Sequence, residues 1–442
     1  MATPLIAVVG RPNVGKSTLF NKISGTRLAI VDDKPGVTRD RIYCESEWRG
    51  KPFTLIDTGG IEPRSDDIIL AQMRVQAEIA IETADVVIFV TDIKTGMTAT
   101  DSEVATMLLR AGKEIVLCVN KVDNAGNPPP ELYEFYNLGL GDPYPVSAAH
   151  GLGVGDLLDA VYEKLKDFDS EPEEDPSVKV AVIGKPNVGK SSLVNYITGE
   201  ERSIVSDIPG TTRDAVDVKK SNDFGDYTFI DTAGLRKKSK VFDDIEKYSI
   251  LRSYMAVDRA DVVLIMIDAN DGVTEQDTKI AGIAHEKGKA SVIVVNKWDS
   301  IEKDDRTMDV MRKKIEEDLK FMSYAPIIFI SAKTGSRVDN VYKMINFVYE
   351  QHSRRIPTGV LNDMLGDATT KVQPPTDKGK RLKLLYMTQV ATKPPTFVVF
   401  VNDSELFHFS YQRYIENQIR QTFELTGTPI IIISREKDKK DQ

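Results

Sequence analysis

The chain has 442 residues, room for about three domains that each bury a core. Charged residues at 28% and hydrophobic residues at 41% are near globular averages, which excludes disorder throughout. A net charge of −9 excludes chain-wide nucleic-acid binding, but residues 356–442 hold 12 Lys and Arg against 10 Asp and Glu, so a polyanion would meet local basic patches. Cys44 and Cys118 have neither metal-ligand nor disulfide spacing, which suits a reducing cytoplasm. "PLIAVVG" at the N-terminus lacks a cationic flank and is expected to be a strand rather than a signal peptide. No window approaches the roughly 20 apolar residues that span a bilayer, so a soluble protein is expected.

In chain order, the apolar run "IAVVG" leads straight into a glycine-rich loop and a helical pattern. The loop comprises Gly10, Arg11, Pro12, Asn13, Val14, Gly15, Lys16, Ser17 and Thr18. This spacing between a strand and a helix points backbone N–H groups at phosphate oxygens, and the helix N-terminus adds positive dipole. Lys16 is expected to reach the β- and γ-phosphates and Ser17 to offer its hydroxyl to Mg²⁺. "PGVTRD" follows, with Thr38 placed to close over Mg²⁺ when a γ-phosphate is present and to let go after hydrolysis.

The strand pattern "FTLID" ends in "DTGG", where Asp57 suits Mg²⁺ and the Gly60 N–H suits the γ-phosphate. "VVIFVTD" and "IVLCVN" are further strand patterns. They are nearly continuous in Val, Ile and Leu, as strands buried on both faces of a mostly parallel sheet are. "NKVD" ends the last of them and identifies the base. Guanine donates from N1 and N2 on one edge, and a buried Asp123 carboxylate would accept both; adenine lacks those donors. Asn120 faces the opposite edge of the base, the Lys121 stem lies over the ring, and Ser147 and Ala148 suit the loop whose N–H meets O6.

An acidic stretch without a basic residue, "DFDSEPEEDPS" at 167–177, then reads as an extended linker. Beyond it the whole pattern returns. Lys16, Thr38 and Asp57 recur as Lys190, Thr212 and Asp231, all at an offset of 174. The second loop is Gly184, Lys185, Pro186, Asn187, Val188, Gly189, Lys190, Ser191 and Ser192. Its partners are Thr212, Asp231, Gly234, Asn296, Lys297, Asp299, Ser331 and Ala332. The Mg²⁺ candidates are therefore Ser17, Thr38 and Asp57 in one copy and Ser191, Thr212 and Asp231 in the other. The offset then drifts, to 176 between Asn120 and Asn296 and 184 between Ser147 and Ser331, which marks a duplicated domain with small loop insertions rather than a solenoid.

From Ile356 the order changes. "IPTGVLNDMLGDA" suggests a short helix, "RLKLLYMTQVA" and "FVVFVN" strands, and "PIIIIS" a closing strand. "SYQRYIENQIRQTF" places Tyr411, Ile415 and Ile419 on one helical face, with Ser410 as the expected N-cap. This is a small α+β domain of roughly 80 residues.

"GxPNVGKS" with "PGxTRD", "DTxG" and "NKxD" in that order resembles the translation-factor-related GTPases, and within them the Era-like group. Two such domains followed by an α+β module resemble the Der (EngA) family of bacterial GTPases of large ribosomal subunit assembly. The resemblance implies α/β architecture with two tandem P-loop GTPase domains and a C-terminal KH-like domain. The expected boundaries are 1–166, 178–355 and 356–436, with the linker at 167–177 and a polar tail at 437–442. It also implies GTP and GDP at two sites, Mg²⁺, cytoplasmic location, and nucleotide-dependent association with the large subunit and its rRNA. No membrane span and a monomer in solution are expected.

Two departures stand out. Ras-like enzymes carry a glutamine after DTxG; here Ile61 and Leu235 stand there, and neither orients a water. Asn13 and Asn187 match the asparagine that helps hold K⁺ in potassium-activated relatives, which would supply the missing charge. The catalytic set is then Asn13, Lys16, Thr38 and Gly60, with Asn187, Lys190, Thr212 and Gly234. The tail domain, meanwhile, lacks the Gly-x-x-Gly loop of RNA-gripping KH folds, because Gly359, Gly366, Gly379 and Gly427 are wrongly spaced. Lys378, Lys380, Arg381 and Lys383 are either rRNA phosphate contacts or guards of an edge strand. Two other readings stay open: one GTPase copy as a non-catalytic platform, and an Era-like GTPase acting on a different RNA.

Overall fold

The structure is a computed structural model that describes residues 3–25, 43–58, 77–123, 129–165, 176–199, 217–230, 246–302, 304–377 and 379–436. The chain divides into two compact units. The first contains strands β1 (Leu5–Gly10), β2 (Tyr43–Trp48), β3 (Lys51–Asp57), β4 (Val86–Asp92), β5 (Glu114–Asn120) and β6 (Pro143–Pro145). They form one sheet in the order β2-β3-β1-β4-β5-β6, parallel except for the β2–β3 hairpin. Helices α1 (Lys16–Ser24), α2 (Ala99–Arg110) and α3 (Val154–Lys164) connect or flank the strands.

β1 and β4 are buried at every residue, which explains their unbroken apolar sequence. Alternate residues serve opposite faces. Ile6 and Val8 pack with Leu19 and Ile23 of α1 and with Leu157 and Val161 of α3. Ala7 and Val9 pack with Val104 and Leu108 of α2. The chain leaves β1 for the phosphate loop between strands β3 and β4, at the carboxyl edge of the sheet where open α/β sheets bind ligands.

The second unit repeats this plan and adds a module. Strands β7 (Val178–Ile183), β8 (Val218–Asn222), β9 (Gly225–Ile230), β10 (Val262–Asp268), β11 (Ala290–Asn296) and β12 (Ile327–Phe329) take the order β8-β9-β7-β10-β11-β12. Its helices include α4 (Lys190–Thr198), α5 (Glu275–Glu286), α6 (Thr307–Asp318) and α7 (Asp339–Ser353), and a further helix, Glu246–Arg259, enters it from Arg252 onward. Helix α8 (Thr358–Lys371) opens the C-terminal module. There follow β13 (Thr376–Asp377), β14 (Lys380–Arg381), β15 (Leu384–Ala391), β16 (Thr396–Val401), α9 (Phe409–Phe423) and β17 (Ile431–Glu436). β15 runs antiparallel to β16, and β16 parallel to β17. Leu361, Leu365, Ile415 and Ile419 of the two helices cover Phe397, Val399 and Val401 of the sheet.

One expectation is corrected here. Ser410 is not the N-cap of α9; the helix begins at Phe409, and His408 precedes it in an extended conformation without a side-chain cap. The first turn is fixed instead by apolar packing, with buried Phe407 and Tyr411 meeting edge to face, their ring centroids 6.4 Å apart. The predicted apolar face holds: Tyr411, Ile415 and Ile419 are all buried.

Within the second unit the GTPase-like sheet and the C-terminal module share polar contacts. The Ser291 N–H donates to Gly427 O and the Gly427 N–H to Tyr324 O, both at 2.7 Å. Gly427 has φ +80°, and a Cβ there would stand 2.2 Å from Val348 Cγ1, so only glycine fits. Beside it, His352 Nδ1 lies 2.7 Å from Thr428 Oγ1. Burial, with Lys289 and Lys393 nearby, pushes the His352 pKa down to about 4, so the ring is neutral.

Candidate nucleotide sites

Each phosphate loop is shaped by backbone that glycine and asparagine tolerate. Asn13 and Asn187 have φ of 65° and 64°, in the left-handed region where asparagine is enriched. Gly15 and Gly189 are left-handed too, at 93° and 99°, and each N-caps the helix that follows. A Cβ at Gly15 would stand 2.3 Å from Asn120 Nδ2, and one at Gly189 2.2 Å from Asn296 Nδ2. Neither α1 nor α4 carries an acidic residue in its first turn, so the positive ends of both helices face the loop uncancelled.

The loop lysines are held in place. Lys16 Nζ donates to Gly10 O and Arg11 O at 2.7 Å each, and Lys190 Nζ to Gly184 O at 2.6 Å and Lys185 O at 2.8 Å. Each ammonium is thus tethered within its own loop, beside the N-terminus of the following helix. Ser17 Oγ donates to Asp57 Oδ2 at 3.2 Å, so the two expected Mg²⁺ groups of the first copy converge. A hydroxyl beside a carboxylate is a hard-oxygen donor set, suited to Mg²⁺. Among the described residues the side-chain amides of Asn13 and Asn187 have no hydrogen-bond partner, and both residues are exposed. Thr38, Gly60, Ile61, Thr212, Asp231, Gly234, Leu235 and Lys378 lie outside the described residues.

The base-side motifs converge on the same edge. Asn120 donates from Nδ2 to Val14 O at 2.7 Å and accepts at Oδ1 from the Ala148 N–H at 3.0 Å. Asn296 makes the matching pair with Val188 O at 2.8 Å and the Ala332 N–H at 2.9 Å. The asparagine therefore braces the phosphate loop against the Ser-Ala loop and keeps one amide hydrogen for a base. The Ala148 and Ala332 N–H groups, expected at O6, are used in this brace.

The two base-reading aspartates differ from expectation in burial. Both Asp123 and Asp299 are exposed at the rim rather than buried. Asp123 accepts from Lys94 Nζ at 2.9 Å and from Ser147 Oγ at 2.8 Å. Those two hydrogen bonds hold its carboxyl below the usual range.

Sequence reasoning passed over Asp92 and Asp268, which end β4 and β10. Asp92 Oδ2 accepts from Lys121 Nζ at 2.6 Å, and the same ammonium reaches Asn13 O at 2.8 Å. Asp268 Oδ2 accepts from Lys297 Nζ at 2.5 Å. Burial pushes both carboxyls up. The lysine bonds, with those from the Lys94 N–H and from Asn270, outweigh it, and both titrate below the usual range. Asp92 thus holds Lys121 where it crosses to the loop, and Asp268 anchors Lys297. The available signal was a strand-ending aspartate in both copies.

Residues 5–121 and 179–297 match the family model described as 50S ribosome-binding GTPase. Residues 355–435 match the one described as the C-terminal KH-domain-like region of EngA bacterial GTPase enzymes. A protein named GTPase Der from Ruminiclostridium cellulolyticum is 63% identical over 441 residues, covering 100% of both chains. Another from Acetivibrio thermocellus is 61% identical over 440 residues, again covering 100% of both. Among solved structures, Aquifex aeolicus Era bound to GDP and AlF4⁻ covers 59% of this chain and 92% of its own, at 24% identity and TM-score 0.30. The G domain of Methanococcus jannaschii FeoB covers 38% and 100%, at 26% and 0.29. Scores this low add nothing to the fold or the function.

Proposed function

The chain belongs to the GTPase Der family, and from that premise we propose that it is a two-site GTPase assisting assembly of the large ribosomal subunit. Its nucleotide state governs domain packing and ribosome association. The observation that carries the reading is the doubled brace: in each copy one buried asparagine ties the phosphate loop to the Ser-Ala loop, which supports a guanine nucleotide in both copies.

Within each site, loop N–H groups and the helix dipole hold the phosphates, while Lys16 or Lys190 lies beside the β- and γ-positions. Asp123 or Asp299 accepts from guanine N1 and N2. That excludes adenine, which has no donor for either. Mg²⁺ would be held by Ser17, Asp57 and Thr38 in one copy and by Ser191, Asp231 and Thr212 in the other, and would neutralise charge on the phosphates. The unpartnered amides of Asn13 and Asn187 suit K⁺, and hydrolysis is expected to be faster in K⁺ than in Na⁺. The KH-like module spans 356–436 and acts as a monomer with the rest of the chain in the cytoplasm. Among the described residues no helix is long and apolar enough to cross a membrane.

Co-sedimentation with large subunits tests the reading. A non-hydrolysable GTP analogue should carry the protein into the pellet and GDP should leave it in solution. Equal pelleting in both states would refute it.

A further inference from the structure

The two phosphate loops differ at Thr18 and Ser192 and at Arg11 and Lys185, and the side chains of the second pair leave the loop. In both copies a threonine and an aspartate form a capping box at the helix after the central strand: Thr98 with Asp101 on α2, Thr274 with Asp277 on α5. In both, one carboxylate oxygen, Oδ2, accepts from the threonine N–H at 3.0 Å and from its hydroxyl at 2.6–2.7 Å. The copies part at the other oxygen. Asp101 Oδ1 accepts from Arg11 Nε at 2.9 Å, and the same guanidinium reaches Gly96 O at 3.4 Å. Asp277 Oδ1, with its residue 1% exposed, has no hydrogen-bond partner among the described residues. Lys185, which replaces Arg11, turns its ammonium to the half-exposed Asp271 at 2.9 Å and stays 3.8 Å from Asp277.

Residue 11 or 185 is also the loop residue whose carbonyl accepts from the loop lysine, at 2.7 Å in the first copy and 2.8 Å in the second. A chain of contacts therefore runs from the Lys16 ammonium through the Arg11 carbonyl and guanidinium to the start of α2. The guanidinium is planar and makes two contacts in fixed directions from a mostly buried position. Lys185 makes a point contact with a carboxylate that water screens.

We infer that Arg11 is a positioning residue that clamps the first phosphate loop to α2, and that Lys185 leaves the second loop with half a clamp, so GDP leaves the second site faster than the first. The inference rests on the proposed reading that both loops hold guanine nucleotides. It assigns to a single arginine-to-lysine difference a kinetic inequality between sites with the same motifs.

Release of fluorescent GDP from the full chain tests it directly. Two phases are expected. Arg11→Lys should speed the slower phase about fivefold and leave the faster one alone. Lys185→Arg gives Asp277 Oδ1 a donor and should slow the faster phase by a similar factor. Asp101→Asn keeps an acceptor for the cap but loses the charge, and should mimic Arg11→Lys. A merely structural role would raise the melting temperature of Lys185→Arg while both release rates stayed put. That result, or a single phase in the unaltered chain, overturns the inference. A chain that binds no guanine nucleotide would instead overturn the proposed function.

Discussion

The two GTPase-family copies have the same strand order, capping boxes and asparagine braces, yet differ in what surrounds those parts. In the first, Lys94 pairs with the motif aspartate Asp123. The second has Asn270 at the matching place after the strand-ending aspartate, and that side chain bonds Ser300 Oγ at 2.9 Å. The second copy is also joined within its unit to the C-terminal module through Gly427 and His352. On the proposed reading, the motifs set what is bound, and the residues just outside them set how firmly it is held and what it moves. A duplicated domain is free to diverge there without losing its ligand.

The largest expected effect strikes what the copies share. Gly15→Ala forces a Cβ into Asn120 Nδ2 at 2.3 Å on a left-handed backbone, and Gly189→Ala does the same against Asn296. Each should weaken GDP at its own site at least about a hundredfold, as calorimetry would read by the loss of one of two binding steps. If one change abolished both steps, the copies would be coupled rather than parallel.

Next comes the junction peculiar to the second copy. His352 titrates near 4 in the fold against 6.5 in the open chain. A folded value below the unfolded one means that the unfolded chain binds the proton first. The stabilisation is whole above pH 6.5 and is lost as pH falls from 6.5 towards 4. At 1.36 kcal/mol per unit this is on the order of 3 kcal/mol. Melting followed from pH 7 to pH 4.5 should show the second unit losing stability more steeply than the first. His352→Gln should flatten that slope. An unchanged slope would mean that carboxylates elsewhere carry the acid response.

How much of this was legible in the sequence follows from burial. Strands such as β1, β4, β10 and β11 are covered on both faces and so are spelled in unbroken Val, Ile and Leu. The hairpin strands β2 ("YCESEW") and β8 ("VKKSN") cover one face or less and read as polar connections. β6 ("PYP") and β12 ("IIF") are three residues each, too short for a period to show. The contiguous motifs were legible as short runs of sequence. The contacts that tune them were not, because Arg11 and Asp101 are 90 residues apart and only the folded sheet brings them together. The start of α9 was misplaced for a similar reason, since a ring contact outweighed the hydroxyl of Ser410.

The smallest effect is expected from the most visible difference at the base. The Lys94–Asp123 pair has side chains 64% and 39% exposed, so water and salt screen it. Ser147 Oγ holds the other carboxylate oxygen in any case. Lys94→Asn, which makes the first copy resemble the second, should therefore change GDP affinity at the first site less than about threefold, and the change should vanish by 0.5 M salt, roughly. Asn270→Lys should be as mild at the second site. A tenfold change from either, persisting in high salt, would move the origin of the inequality from the loop clamp to the base-reading carboxylate, because a screened surface pair has no means of producing it.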